Sequence, residues 1–116
     1  MILRVIDNPD FKKLEKAGFS NAQFKKLDAL YLQAMSDKVF GYRSVDVDFD
    51  EGVAEYAYYK TEYQPAALRF VIRHVGPRTV MYEVWKEGKG RISKSGLFDR
   101  AYERLQAEIE ALMSAP

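Results

Sequence analysis

The chain has 116 residues, of which 47% are hydrophobic and 30% charged, and its formal net charge is +1. This length and hydrophobic content are enough for one core, so we predict a single domain over residues 1–116. Cysteine is absent from the sequence, which excludes disulfides, thiolate metal sites and a cysteine nucleophile.

No apolar run approaches the roughly 20 residues that a membrane span needs. The amino-terminal residues MILRVIDNPDF turn polar too early for a secretory signal. The sequence therefore predicts a soluble cytoplasmic protein that has no membrane partner. It contains no cofactor-binding motif, and we expect no cofactor.

The first predicted elements are a strand and a short helix. Residues 2–6, ILRVI, form an apolar run rich in β-branched side chains, which is typical of a strand. Asn8 then supplies an N-cap, Pro9 occupies the first helical position and Gly18 ends the helix.

A second helix is predicted from Ser20 to about Asp37. Ser20 and Gln23 have the spacing of a capping box, and Phe19 and Phe24 have that of a hydrophobic staple. The apolar residues that follow keep helical spacing, which indicates one buried face.

The stretch VDVDFDEG alternates apolar and acidic side chains. A strand would place Asp46, Asp48 and Asp50 together on one face. A calcium loop also begins D-x-D-x-D, but Glu51 stands where that loop needs glycine and Ala57 where it needs glutamate. We therefore predict a solvated strand face that binds no metal.

Glu51 and Gly52 are predicted to form a two-residue hairpin loop after this strand. Such a loop would set three pairs across the hairpin, which are Phe49 with Ala54, Val47 with Tyr56, and Val45 with Tyr58. These pairs collect the apolar residues on one side of the sheet.

LRFVIRHV and TVMYEVWK indicate two further strands, joined by a three-residue turn from Gly76 to Arg78. The turn predicts four facing pairs: Phe70 with Val84 and Ile72 with Tyr82 on a core face, and Arg69 with Trp85 and Arg73 with Met81 on the other. Together with the apolar faces of the predicted helices, these pairs indicate five core residues: Leu27, Phe70, Ile72, Val84 and Leu105.

The last predicted element is a helix that starts near Gly96 after Ser93 or Ser95 as N-cap, with an apolar stripe as far as Leu112. The predicted order is β-α-α-β-β-β-β-α. This order describes an α+β domain with a mainly antiparallel sheet of four to five strands.

The polar stretch EGKGRISKSG precedes that helix. Lys89, Arg91 and Lys94 would lie near the helix amino terminus, where phosphate is favoured, and Arg78 is a further candidate. The glycine-rich phosphate-loop motif is absent, so a solvated turn is the alternative. His74 is the only histidine, and we predict no catalytic residue and no metal ligand.

Two family resemblances concern RNA. The order of a strand, two helices and antiparallel strands resembles the small toxin ribonucleases of toxin–antitoxin systems, which implies metal-independent cleavage by basic residues and a tyrosine. GKGRISK before a helix is similar to the end of a double-stranded-RNA-binding domain, although Arg91 and Ile92 precede Ser93 and Lys94. No functional residue is carried over from either family.

Charge is distributed unevenly along the chain. Residues 38–65 contain three Lys or Arg against six Asp or Glu, whereas residues 66–100 contain eight against three. The two stretches form either a dipolar surface that attracts a partner or neighbouring strands that neutralise each other.

The sequence favours a binding protein over an enzyme. The predicted binding face carries Arg69, Arg73, Met81 and Trp85, residue types enriched in interfaces, and the expected partner is another protein or a second copy of the chain. A nucleic-acid binder on the same face and a metal-independent ribonuclease are the alternatives. One of the amino-terminal helices could also cover this face, which would make Trp85 part of the core.

Overall fold

The structure is a computed structural model, and it describes residues 20–114. These residues form an α+β fold in which one helix precedes a five-stranded antiparallel sheet in sequence and a second helix follows it. The predicted strand at residues 2–6 and the helix ending at Gly18 lie outside the described residues. The elements are, in order, α1 (Asn21–Ser36), β1 (Tyr42–Asp48), β2 (Val53–Tyr59), β3 (Leu68–Gly76), β4 (Thr79–Lys86), β5 (Gly90–Ser95) and α2 (Phe98–Met113).

Helix α1 begins with the predicted capping box. The Gln23 backbone N–H donates to Ser20 Oγ at 3.0 Å, and the Ser20 backbone N–H donates to Gln23 Oε1 at 3.3 Å. Two of the unpaired amide groups at the helix start are thereby satisfied. Phe19 lies outside the described residues, so the hydrophobic staple stays a prediction.

The sheet is a meander in which every strand pairs with its neighbours in sequence. The four predicted pairs between β3 and β4 are confirmed. The connection is tighter than expected, because Gly76 pairs with Thr79 and an irregularity between His74 and Gly76 accommodates Val75. The prediction of a three-residue turn is therefore wrong, while the register that it gave is right.

The predicted register between β1 and β2 is wrong by two residues. Val47 pairs with Ala54, and a four-residue loop from Phe49 to Gly52 joins the strands. The loop is favoured because Asp48 Oδ1 accepts a hydrogen bond from the Glu51 backbone at 3.1 Å and Gly52 adopts a φ of 66°. A shift of two keeps the residues of β1 and β2 on their predicted faces, but Phe49, predicted on the apolar side, lies in the loop and is exposed.

The stretch expected to be a solvated turn before α2 contains a fifth strand. β5 pairs with β4, and α2 begins at Phe98, within two residues of the predicted start. The N-cap is Leu97, which makes no side-chain hydrogen bond, so the prediction of Ser93 or Ser95 as N-cap is wrong. Ser95 Oγ instead accepts from the Leu97 backbone N–H at 3.0 Å. Ile92 is the one apolar side chain of β5 and lies at a register irregularity opposite Val84 and Trp85, so the sequence shows no alternation that would identify this strand.

One side of the sheet, the core face, packs against both helices. All five residues predicted for the core are 0% exposed: Leu27, Phe70, Ile72, Val84 and Leu105. Helix α2 packs on β4 and β5 and against α1, and the Tyr58 hydroxyl donates to the Leu27 carbonyl of α1 at 2.8 Å. Within residues 20–114, neither helix is long and apolar enough to cross a membrane.

Candidate interaction face

The other side of the sheet is the candidate site, and we call it the open face. Within residues 20–114 both helices pack on the core face, and no helix packs here. Side chains that alternate with core residues along the strands form it, among them the predicted binding residues Arg69, Arg73, Met81 and Trp85, together with Glu55, Val71 and Glu83.

The centre of the open face is the carboxylate of Glu83, which is only 2% exposed. Arg73 donates to both of its oxygens, with Nε–Oε2 3.1 Å and Nη2–Oε1 3.2 Å. The indole N–H of Trp85 donates to Oε1 at 2.9 Å, and Arg91 Nη1 lies 3.6 Å from Oε2. One carboxylate therefore holds two arginines and the tryptophan in place.

Opposing effects act on the ionisation of Glu83. Burial by itself would raise the pKa of the carboxyl group. Hydrogen bonds from Arg73 and Trp85, together with the charges of Arg73 and Arg91, outweigh burial and lower the pKa below its ordinary value. Glu83 is therefore charged at neutral pH.

A second set of contacts crosses the middle strands. Arg69 Nη1 lies 3.0 Å from Glu55 Oε1, and the Arg69 guanidinium carbon lies 5.3 Å from the centre of the Trp85 ring. Residues from β2, β3 and β4 thus form a ridge in which an arginine lies over an aromatic ring, a favourable cation–π geometry.

The ridge separates two shallow depressions. One, of about 360 Å³, is lined partly by Asp46, Val53 and Val71. The other, of about 550 Å³, extends to Tyr59 at the end of β2 and Gly90 at the start of β5. The open face therefore has relief as well as charge.

Two oppositely charged rims border the open face. Asp46 and Asp48 are exposed on β1, an edge strand of the sheet in residues 20–114, and we call them the acidic rim. Arg91 and Lys94 are exposed on the opposite edge strand β5, and they form the basic rim. Asp50, predicted beside the other aspartates, lies instead in the exposed loop after β1.

The candidate phosphate-binding residues do not form one cluster. Arg78 lies in the β3–β4 turn and Lys89 in the β4–β5 turn, at opposite ends of the eight-residue strand β4, which places them about 25 Å apart along the sheet. Arg91 already faces Glu83. The first turn of α2 carries Asp99, whose carboxylate lies 3.6 Å from Lys26, and this acid occupies the region that a phosphate would need.

Sequence reasoning missed a buried ion pair on the core face. Arg43 Nε lies 2.9 Å from Asp28 Oδ1, and the two side chains are 1% and 10% exposed. The Nε–H bond is not directed at Asp28 Oδ1, so the contact is an ion pair and not a hydrogen bond. Nη2 also makes no hydrogen bond with residues 20–114. The guanidinium carbon lies 5.5 to 5.8 Å from three aromatic rings, those of Phe24, Tyr31 and Tyr56.

The remaining chemical candidates are dispersed. His74 Nδ1 lies 3.3 Å from the Gly52 carbonyl at the end of the sheet. In the part of the chain from residue 20 to 114, no group of three or more histidine, aspartate or glutamate side chains is arranged to hold a metal ion. That the β1 aspartates bind no ion tightly stays a prediction.

The open face is therefore the arrangement that brings together the most functional groups: four predicted binding residues, a buried carboxylate, and rims of opposite charge. Comparison of this chain with protein-family models, curated protein sequences and solved structures returns no match.

Proposed function

We propose that this chain is a non-catalytic binding protein whose open face contacts another protein surface. The proposal rests on the hydrogen bonds that Arg73 and Trp85 donate to the Glu83 carboxylate. These bonds hold both side chains on the side of the sheet where no helix from residues 20–114 packs. Tryptophan, methionine and arginine are enriched at the centres of protein interfaces.

Pre-ordered side chains favour association. Immobilising a long side chain on binding costs about 0.5–1.5 kcal/mol. Here Arg69 is held by Glu55, and Arg73 is held by Glu83, so part of this cost is met during folding. A partner then meets a surface whose anchors are already oriented.

Nucleic acid fits this face less well than protein does. Affinity for nucleic acid depends on cations that neutralise phosphates, but Arg69, Arg73 and Arg91 already face carboxylates of the same chain. The acidic rim would also repel a phosphate backbone. The arginines therefore favour a partner with mixed charge.

A ribonuclease that uses a tyrosine gains no support from the core tyrosines. Burial raises the pKa of both Tyr56 and Tyr58 above the ordinary tyrosine value, so neither hydroxyl readily loses its proton. Both side chains are 0% exposed, which keeps them from a substrate.

The proposal is tested with the double variant Arg69→Ala, Trp85→Ala. The matched control, Tyr63→Ala with Arg78→Ala, removes an aromatic and an arginine from exposed loops outside the open face. Candidate partners recovered by co-purification would be purified and titrated. We expect the open-face variant to bind at least about tenfold more weakly, and the control to bind like the wild type.

Circular dichroism would confirm that both variants fold, since loss of the Trp85 hydrogen bond to Glu83 lowers stability somewhat. Equal partner affinity of wild type and open-face variant would place the site elsewhere and contradict the proposal. Salt-sensitive binding of labelled RNA or DNA that disappears in the open-face variant would instead assign this face to nucleic acid.

A further inference from the structure

The register of the strands arranges the open face in rows that cross the sheet. One row contains a single residue from each strand, from β1 to β5: Asp46, Glu55, Val71, Glu83 and Lys94. It begins with an exposed acid, has buried Val71 at its middle and ends with an exposed base. The adjacent row contains Ala57, Arg69 and Trp85.

We propose that the open face packs against the open face of a second copy of this chain, about a twofold axis that runs parallel to the strands and over Val71. The inference rests on the proposed function and adds the identity of the partner. Such a rotation places β1 of one copy over β5 of the other, so each acidic rim faces a basic rim. The contact is isologous and closes as a dimer.

The rows define which residues meet. Asp46 of each copy faces Lys94 of the second copy, and because the axis is twofold this charge pair occurs twice. In the same row Glu55 of each copy faces Glu83 of the second copy, and each of these carboxylates is already paired with an arginine of its own chain. In the adjacent row, small Ala57 faces large Trp85 of the second copy, which gives the ring room. Val71 faces its own symmetry mate at the axis.

The arginines of β3 also lie near the axis, where each would face its own mate. Arg69 is paired with Glu55 at 3.0 Å, and Arg73 is bonded to Glu83. These carboxylates offset the repulsion between like charges, and they come from the same chain as the arginines.

The charge pattern selects this axis over the other face-to-face arrangement. A twofold axis perpendicular to the strands would place β1 over β1 and β5 over β5. With that axis over Val71, Asp46 would face its own symmetry mate and so would Lys94, a repulsion that disfavours association.

Cross-linking distinguishes the two axes, since the sequence has no cysteine of its own. Facing sheets stand about 10 Å apart, beyond disulfide reach, so a short bismaleimide is the reagent. We expect Asp46→Cys alone and Lys94→Cys alone to give no covalent dimer, and their equimolar mixture to give one. Covalent dimer from Asp46→Cys alone, or none from the mixture, would overturn the arrangement.

Charge reversal provides a second test by sedimentation velocity. Asp46→Lys and Lys94→Glu should each weaken the dimer about tenfold or more, because each places like charges together twice. Their mixture should associate like the wild type, since both rim contacts are again between opposite charges. Glu103→Lys and Arg100→Glu, on exposed positions of α2, are the matched controls and should have no effect.

The state of Trp85 separates failure of this inference from failure of the proposed function. A chain that stays monomeric at high concentration with Trp85 open to acrylamide quenching would rule out the second copy and leave the face free for another protein. A monomer in which Trp85 is protected would mean that the chain covers its own open face, and both proposals would fall.

Discussion

The two faces of the sheet each bury a charged group, and they do so in opposite ways. On the core face the buried group is a cation, Arg43, whose side chain is 1% exposed beside Asp28 of α1. On the open face it is an anion, Glu83, whose side chain is 2% exposed while its partner Arg73 is 39% exposed. A helix covers the first charge, and neighbouring side chains of the sheet cover the second.

The difference separates a role in folding from a role in organising a surface. Arg43 and Asp28 join a strand to a helix, so their contact exists only when the domain is folded. Glu83 orders Arg73 and Trp85 on a side of the sheet where no helix from residues 20–114 packs. A pair beneath a helix should therefore matter for stability, and a pair on the open face mainly for recognition.

The largest expected effect is on the core face. Phe70 is 0% exposed, and its ring lies 5.4 Å from Phe98 and 6.3 Å from Tyr82. Phe70→Ala should destabilise the domain by about 3–5 kcal/mol, because it removes a large buried side chain and leaves a cavity. Chemical denaturation measures the change, and a loss below about 1 kcal/mol would contradict the face assignment.

Breaking the core ion pair should have the next largest effect. Asp28→Ala leaves the Arg43 guanidinium buried without its carboxylate and also removes the acceptor of the Tyr56 hydroxyl. We expect a loss of about 3 kcal/mol in the free energy of unfolding.

The double variant Asp28→Ala, Arg43→Met tests the physical reason for that loss. It removes the buried charge together with its partner, so it should be more stable than Asp28→Ala alone. A double variant that is no more stable would show that the cost comes from the lost carboxylate contacts and not from an unpaired cation.

Local periodicity predicted most of the fold, and the misses have physical causes. Alternation along β3 and β4 placed Phe70 and Arg69 on opposite faces, as the structure does. The loop after Asp48 was missed because the alternation of apolar and acidic residues continues past that residue, whose side chain caps the turn. Strand β5 was missed because Ile92 is its one apolar side chain, so it has no alternation to detect.

For the candidate site, the sequence identified the face but not its organisation. Arg69 and Trp85 were expected to face each other, since strand register alone decides this. Glu83 was not singled out, because its burial depends on Arg73, Trp85 and Arg91 converging from three strands. Arg43 and Asp28 were missed for a similar reason: their contact depends on how α1 docks on the sheet.

On the open face, Glu83→Gln should lower the free energy of unfolding by about 1 kcal/mol at neutral pH. The loss is small because Arg73 is partly exposed and water screens its interaction with Glu83. The lowered pKa of Glu83 sets the pH dependence. The stabilisation that the charged Glu83 contributes is fully present above the pKa of this carboxyl group in the unfolded chain, about 4.3. It is lost as the pH falls through the lower pKa of the same group in the folded chain.

Urea denaturation of both proteins across the acid range measures this effect. The stability difference between wild type and Glu83→Gln should be present at pH 7 and should narrow below about pH 4. Glu103→Gln, at an exposed position of α2, is the control and should differ little from wild type at any pH. A gap that stays constant into the acid range would show that Glu83 does not act through its charge.

The smallest expected effect on stability is at the acidic rim. Asp46 and Asp48 are exposed, so replacing both with asparagine should change the free energy of unfolding by less than about 0.5 kcal/mol. Asparagine at position 48 keeps an oxygen for the hydrogen bond from the Glu51 backbone. Dilute protein is used, so that the proposed self-association does not contribute to the measured stability.

The Asp46→Asn, Asp48→Asn variant also tests whether the acidic rim binds a metal ion. Aspartates spaced along an extended strand diverge too far to share one ion, so calorimetric titration of the wild type with calcium or magnesium should show no micromolar binding. Micromolar affinity that disappears in the Asp46→Asn, Asp48→Asn variant would make the rim an ion site. If the wild type binds no ion and the variant keeps its stability but associates more weakly, the charge of the acidic rim acts only between molecules. The charge of Asp28, by contrast, acts within one molecule.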